Sequence, residues 1–162
     1  MATRYEYFTP TGYESLAYTV DIHNTTWQMQ SFTPIFNHSL YSVKFYMRRV
    51  SNPGTLTVEL YAVDGNGFPT GSVLSTATTD ANLFGVSYAL HEILLPTYGL
   101  IAGTTYAVVL KALSGDSSNR VTLGIIRNDD ASYTGGKSAQ SVDTGATWNN
   151  NESGGFGFDA VF

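Results

Sequence analysis

Glu59 and Glu92 are the carboxylates whose residue type and strand setting could do chemistry. Two carboxylates flanking a glycosidic bond, about 5 Å or about 6.5–9.5 Å apart, would hydrolyse it. Nothing in the spacing brings these two into one cleft, and an outward strand glutamate is ordinarily solvated, so no hydrolase is expected. The three histidines, His23, His38 and His91, are far apart and have no metal-ligand spacing. The chain has no nucleophile elbow and no phosphate-cradling glycine loop. Asp64 and Asn66 in one turn, and Asp129 and Asp130 in another, offer hard oxygen ligands for a structural calcium. The same residue types are favoured in turns for backbone reasons. No other cofactor is expected. The remaining chemistry is aromatic, with 11 Tyr, 9 Phe and 2 Trp. Tyr46 and Tyr61 fall at outward strand positions and are expected on one exposed sheet face, with Tyr88 as a companion. An exposed tyrosine face suits a partner surface or sugar stacking, unless a second layer covers it.

The elements that must position these residues are strands. In residues 43–48, Val43, Phe45 and Met47 share one face and Lys44, Tyr46 and Arg48 the other. In residues 56–62, Leu56, Val58, Leu60 and Ala62 form the inward set. Period-2 alternation of this kind marks half-buried strands. The turn signal Asn52-Pro53-Gly54 between them predicts a hairpin. Asp64-Gly65-Asn66-Gly67 predicts a further turn, and Pro69-Thr70-Gly71 a second break before a short strand at 73–77. A strand at 90–95 is expected to stop at Pro96. Tyr106, Val108 and Leu110 should face inward, with Ala107, Val109 and Lys111 outward. Residues 121–126 continue the meander, 149–155 read as an exposed loop, and 156–162 as a final strand. Residues 1–25 are expected to be strands at 5–8 and 16–20, or an arm that adds to a neighbour's sheet, with one sandwich domain over 26–162.

Composition narrows the class further. One domain is the prior for 162 residues. Charged residues make up 13% of the chain, against about 25% in ordinary domains. The surface must therefore be largely Thr, Ser, Asn, Gly and Tyr. A net charge of −5 repels a phosphate backbone on average, so nucleic acid is not an expected partner. No apolar run reaches the roughly 20 residues of a membrane helix. The absence of cysteine excludes disulfides and thiolate metal sites. Met1-Ala2-Thr3-Arg4 leads into Tyr5-Glu6-Tyr7-Phe8 without the pattern of a secretion signal. The expectation is an excised piece of an exported protein, or one that leaves its cell by another route.

Two resemblances add to this. The stretch from Gln30-Ser31-Phe32-Thr33 through the alternating segments, residues 67–74 and Leu100-Ile101-Ala102-Gly103-Thr104-Thr105-Tyr106 resembles the β-sandwich modules of bacterial "choice-of-anchor" surface proteins. It also resembles the jelly-roll domains of phage structural proteins. The resemblance implies a non-catalytic accessory or surface domain. The anchor segment of the bacterial proteins is not in this sequence, which counts against the cell-wall version. Residues 141–148, Ser-Val-Asp-Thr-Gly-Ala-Thr-Trp, resemble the Asp-box known from sialidases and other sugar-active or secreted proteins. The box implies a stabilised hairpin away from any active site. Asp143 would accept backbone amides, Gly145 would supply a positive φ and Trp148 would fold back as an apolar plug.

The expected fold is thus an all-β, mainly antiparallel, jelly-roll-like sandwich without enzymatic activity. The expected function is a virion surface component of a tailed phage, capsid decoration or fibre, meeting other virion proteins or copies of itself. The alternative is a carbohydrate-binding module from a larger secreted enzyme or adhesin, with Tyr and Trp148 stacking on an oligosaccharide. The expected location is a virion surface or the extracellular space.

Overall fold

Four antiparallel pairings, nested one inside the next, organise the chain in the computed structural model, which describes residues 18–128, 135–151 and 157–160. Innermost, β4 (Thr55–Val63) pairs with β5 (Pro69–Asp80). Around it, β3 (His38–Val50) pairs with β6 (Ala89–Leu100), and β2 (Trp27–Phe32) with β7 (Tyr106–Lys111). Outermost, β1 (Tyr18–Ile22) pairs with β8 (Arg120–Asn128). Alternate pairs go to opposite layers. One sheet runs β1-β8-β3-β6 and the other contains β2-β7-β4-β5. This is jelly-roll wrapping, and the fold is an all-β antiparallel sandwich. β9 (Ser138–Ser141) and the two-residue β10 (Asn149–Asn150) extend the second sheet beyond β2. β11 (Gly157–Ala160) adds to β8. The described residues contain no α-helix, only a 3-10 turn at Ala81–Leu83 capped by the Asp80 carboxylate, which accepts from the Asn82 amide.

The predicted inward faces hold. Phe45 and Met47 of β3 meet Leu56, Val58 and Leu60 of β4 in one core, with Tyr106, Val108 and Leu110 of β7. Burying a side chain of this size contributes roughly 1.5–3 kcal/mol. Ile22 is fully buried in the same core, so β1 is a strand of the sandwich. Residues 5–8 lie outside the described residues.

Several predicted pairings do not hold. β3 and β4 form no hairpin. They lie in opposite sheets, and Asn52-Pro53-Gly54 is the corner between layers. Left-handed Ser51 (φ 53°) and Gly54 (φ 76°) make that corner. Alternation specifies which face is buried, and both apolar faces reach the core from opposite sides. The hairpin is instead β4–β5, and β5 starts at Pro69, before the predicted 73–77. β6 runs through Pro96 to Leu100 because a bulge in β3 between Leu40 and Ser42 interrupts the ladder opposite the proline. β6 is also an edge strand, where proline costs little. β8 does not continue a meander from β7, since it crosses to the other sheet. Asn149 and Asn150, read as loop, pair with Gln140 and Ala139. The final strand is described only as β11, from Gly157 to Ala160.

Candidate functional site

β7 is buried on both faces. Its outward residues Ala107 and Val109 join Met29 and Ala139 in a second, smaller apolar cluster on the outside of the β2-β7-β4-β5 sheet. Trp27, Tyr61 and Trp148 pack against that cluster. Above it opens a cleft of about 350 Å³, within the usual size of small-ligand sites.

Sheet register explains its floor. Gln28 pairs with Leu110, which places Trp27, at the start of β2, beside Lys111, at the end of β7. On the other flank Thr57 pairs with Lys111 and Glu59 with Val109, so Glu59 is the diagonal neighbour of Lys111 on the same face. The Lys111 ammonium lies 4.1 Å from the centre of the Trp27 ring and forms an ion pair with Glu59. Only 10% of the Lys111 side chain and 15% of the Glu59 side chain reach solvent. The Tyr61 hydroxyl donates to Glu59 at 2.6 Å. Burial, and then the Glu59 hydrogen bond and charge, push the Tyr61 phenol well above its ordinary range. Tyr61 therefore stays a neutral hydrogen-bonding group at any physiological pH. The floor is aromatic, and its one charged side chain, Lys111, is paired with Glu59.

The two walls are loops. One is Pro69-Thr70-Gly71 at the start of β5. The other is the Asp-box hairpin between β9 and β10, which contributes Thr144, Gly145 and Trp148. The hydrogen bonds and the positive φ read from its sequence are present, whereas Trp148 packs on the outer apolar cluster and lines the cleft. Asp143 accepts from the Thr147 amide at 2.8 Å, the Thr147 hydroxyl at 2.6 Å and the Ser141 hydroxyl at 2.8 Å. Gly145 has φ 86°, and a Cβ there would come within 2.7 Å of the Trp27 ring. Trp27 thus packs closely against Gly145 and carries the Lys111 ammonium over its ring.

The Asp143 hydrogen bonds, those from Thr147 foremost, lower its pKa from 3.8 to about 2. A depressed carboxylate stabilises the fold above its unfolded pKa and loses that contribution as pH falls through the folded value. Hairpin stability should therefore drop between about pH 4 and pH 2. An Asp143→Asn variant, followed by thermal melts across that window, should melt lower than the natural chain at pH 6. The gap should narrow steadily as pH falls from about 4 to about 2, and a gap independent of pH would refute the assignment.

The three singled-out tyrosines do not share a face. Tyr46 stacks on Tyr88 at 5.6 Å, with the Arg48 guanidinium 5.1 Å from the Tyr88 ring. That group stands on the β3-β6 layer, whereas Tyr61 belongs to the opposite layer. The β3–β4 layer crossing separates them. The same crossing separates Glu59 from Glu92. Glu92 instead accepts from Ser42 at 2.8 Å and pairs with Lys44 at 3.4 Å.

Asp64 uses one carboxylate oxygen to accept the Asn66 and Phe68 amides at 2.8 and 3.0 Å, the turn role of such residues. The Phe68 amide foremost keeps its pKa below the ordinary range. Among the described residues no three His, Asp or Glu side chains converge as a metal site. Asp129 and Asp130 lie outside the described residues.

Of the histidines, His91 stacks on Phe84 at 4.1 Å, and burial lowers its pKa. His38 approaches the Phe36 carbonyl through Nδ1 at 3.0 Å. His23 forms an isolated bridge with Thr26.

Trp27 and the Lys111–Glu59 pair were not singled out from sequence. One signal pointed to them. The outward positions of β7 include Ala107 and Val109, too apolar for a bare face, so something had to cover it. No protein-family model matches the chain, and no curated protein matches it.

Proposed function

We propose that the chain is a non-enzymatic binding module whose outer cleft holds a neutral oligosaccharide. The observation that carries this reading is the cleft itself. Two tryptophans and a tyrosine line it, together with Lys111, whose charge is paired by the Glu59 carboxylate. Sugar rings present apolar C–H faces to aromatic side chains and hydroxyls to polar neighbours. Cancelled charge favours neutral sugars over acidic ones. A second reading, a virion surface or structural component, is supported by different features. The exterior is poor in charge, and Phe36 and Ile101 are 66% and 60% exposed. The two loops carrying them are tied by the Gly103 amide donating to the Pro34 carbonyl at 2.8 Å. Both readings place the molecule outside a cell.

Binding to a panel of neutral and acidic oligosaccharides tests the first reading. The natural chain should bind neutral members saturably. Trp148→Ala, with its β-sheet circular dichroism retained, should bind about tenfold more weakly, a loss of about 1.4 kcal/mol. Binding to no member of the panel would refute the reading, as would equal binding by the variant.

A further inference from the structure

We infer that Thr144 is a ligand-contacting, specificity-determining residue of the cleft, held in a strained conformation for that purpose; this rests on the sugar-binding reading above. Three non-glycine residues among those described have positive φ: Asn24 at 42°, Ser51 at 53° and Thr144 at 59°. Asn enters that region readily and Ser carries no branch at Cβ, whereas a β-branched residue there is an outlier. Of the three, Thr144 alone lines the cleft.

The hairpin does not need threonine at this position. Its turn would be served by Asn or Gly, which enter the left-handed region at little cost. What holds Thr144 in place is the frame around it. Its amide donates to the Thr25 carbonyl at 3.1 Å, and its hydroxyl to the Asp143 carbonyl at 2.6 Å. The next amide, of Gly145, donates to the Ser141 hydroxyl at 2.8 Å. Backbone strain persists only where the surroundings over-determine it, and it concentrates at binding sites. Thr144 is itself exposed, and it stands on the wall that carries Trp148. Its hydroxyl proton is held by the Asp143 carbonyl, so what Thr144 offers at the cleft is its methyl and the accepting side of its hydroxyl oxygen. The Asp-box hairpin here is a wall of the binding site as well as a local brace.

The test pairs melting with binding, using the neutral oligosaccharide that the natural chain binds most tightly. Thr144→Gly and Thr144→Asn should each raise the melting temperature by about 2–4 °C, as expected for relief of about 1 kcal/mol in a chain of this size. Thr144→Gly should bind about tenfold more weakly. Ser51→Gly relieves a left-handed residue away from the cleft and should leave affinity unchanged. If both Thr144 variants melt at or below the natural temperature, the strain is not there and the inference falls. If Thr144→Gly binds within twofold of the natural chain while Trp148→Ala does not, the inference falls and the sugar-binding reading stands. If the natural chain binds no oligosaccharide, both fall together.

Discussion

Replacing Lys111 by methionine should cost about 3–5 kcal/mol of stability, a fall on the order of 10 °C in melting temperature. Methionine keeps most of the apolar stem, so packing is largely preserved. The charge is what is lost. Glu59, with 15% of its side chain exposed, would keep its carboxylate in the same enclosed place with only the Tyr61 hydroxyl as a named donor. An uncompensated buried charge costs far more than a buried pair contributes. A Lys111→Met, Glu59→Gln double variant should recover most of the stability at neutral pH. Denaturant melts of the single and double variants check this. A loss below about 1 kcal/mol would mean that the pair behaves as an exposed one.

Gly136→Ala should cost about 3 kcal/mol or more, the upper end for overpacking. A Cβ at Gly136 would lie 1.8 Å from the Ser31 carbonyl oxygen, 2.4 Å from its carbon and 2.9 Å from the Phe32 nitrogen. These are backbone atoms of β2, so no rotamer change relieves the clash. β9 would have to move away, breaking the bond from the Ser31 amide to the Lys137 carbonyl, 2.8 Å long. The Asp-box hairpin, and Trp148 with it, would move too, so the variant should also lose ligand affinity. Gly65→Ala is the control. Nothing lies within 4 Å of a Cβ there, so its change should stay within about 0.5 kcal/mol. Equal melting temperatures for the two variants would contradict the close approach of Gly136, just before β9, to β2.

These expectations show where the sequence was informative and where it was silent. The alternation of Val43, Phe45 and Met47, and of Leu56, Val58 and Leu60, identified the buried faces correctly because side-chain direction has period 2. It could not identify strand neighbours, since strands from opposite layers bury the same kind of face. Pro69 and Pro96 read as breaks because proline cannot donate to a ladder. One begins an edge strand and the other faces a bulge, so each shifts the register of its ladder, at residues 71–74 and opposite Pro96, without ending the strand. The Asp-box was legible because its hydrogen bonds span at most four residues. The cleft was not, because its floor depends on pairing Gln28 with Leu110 and Glu59 with Val109. No local pattern encodes contacts that distant. Asp143, Gly145 and Trp148 were named for the right local reason, and their shared role as a wall needed Trp27 and Lys111 beside them.

Trp27 and Trp148 are the chain's two tryptophans, and both line the cleft. Intrinsic tryptophan fluorescence therefore reports on this site alone. Titrating the natural chain with a neutral oligosaccharide should give a saturable change in intensity or emission maximum, with the sugar recovered uncleaved. An unchanged spectrum at saturating concentrations of every panel sugar, or the appearance of cleaved product, would contradict a non-catalytic sugar cleft on this sheet.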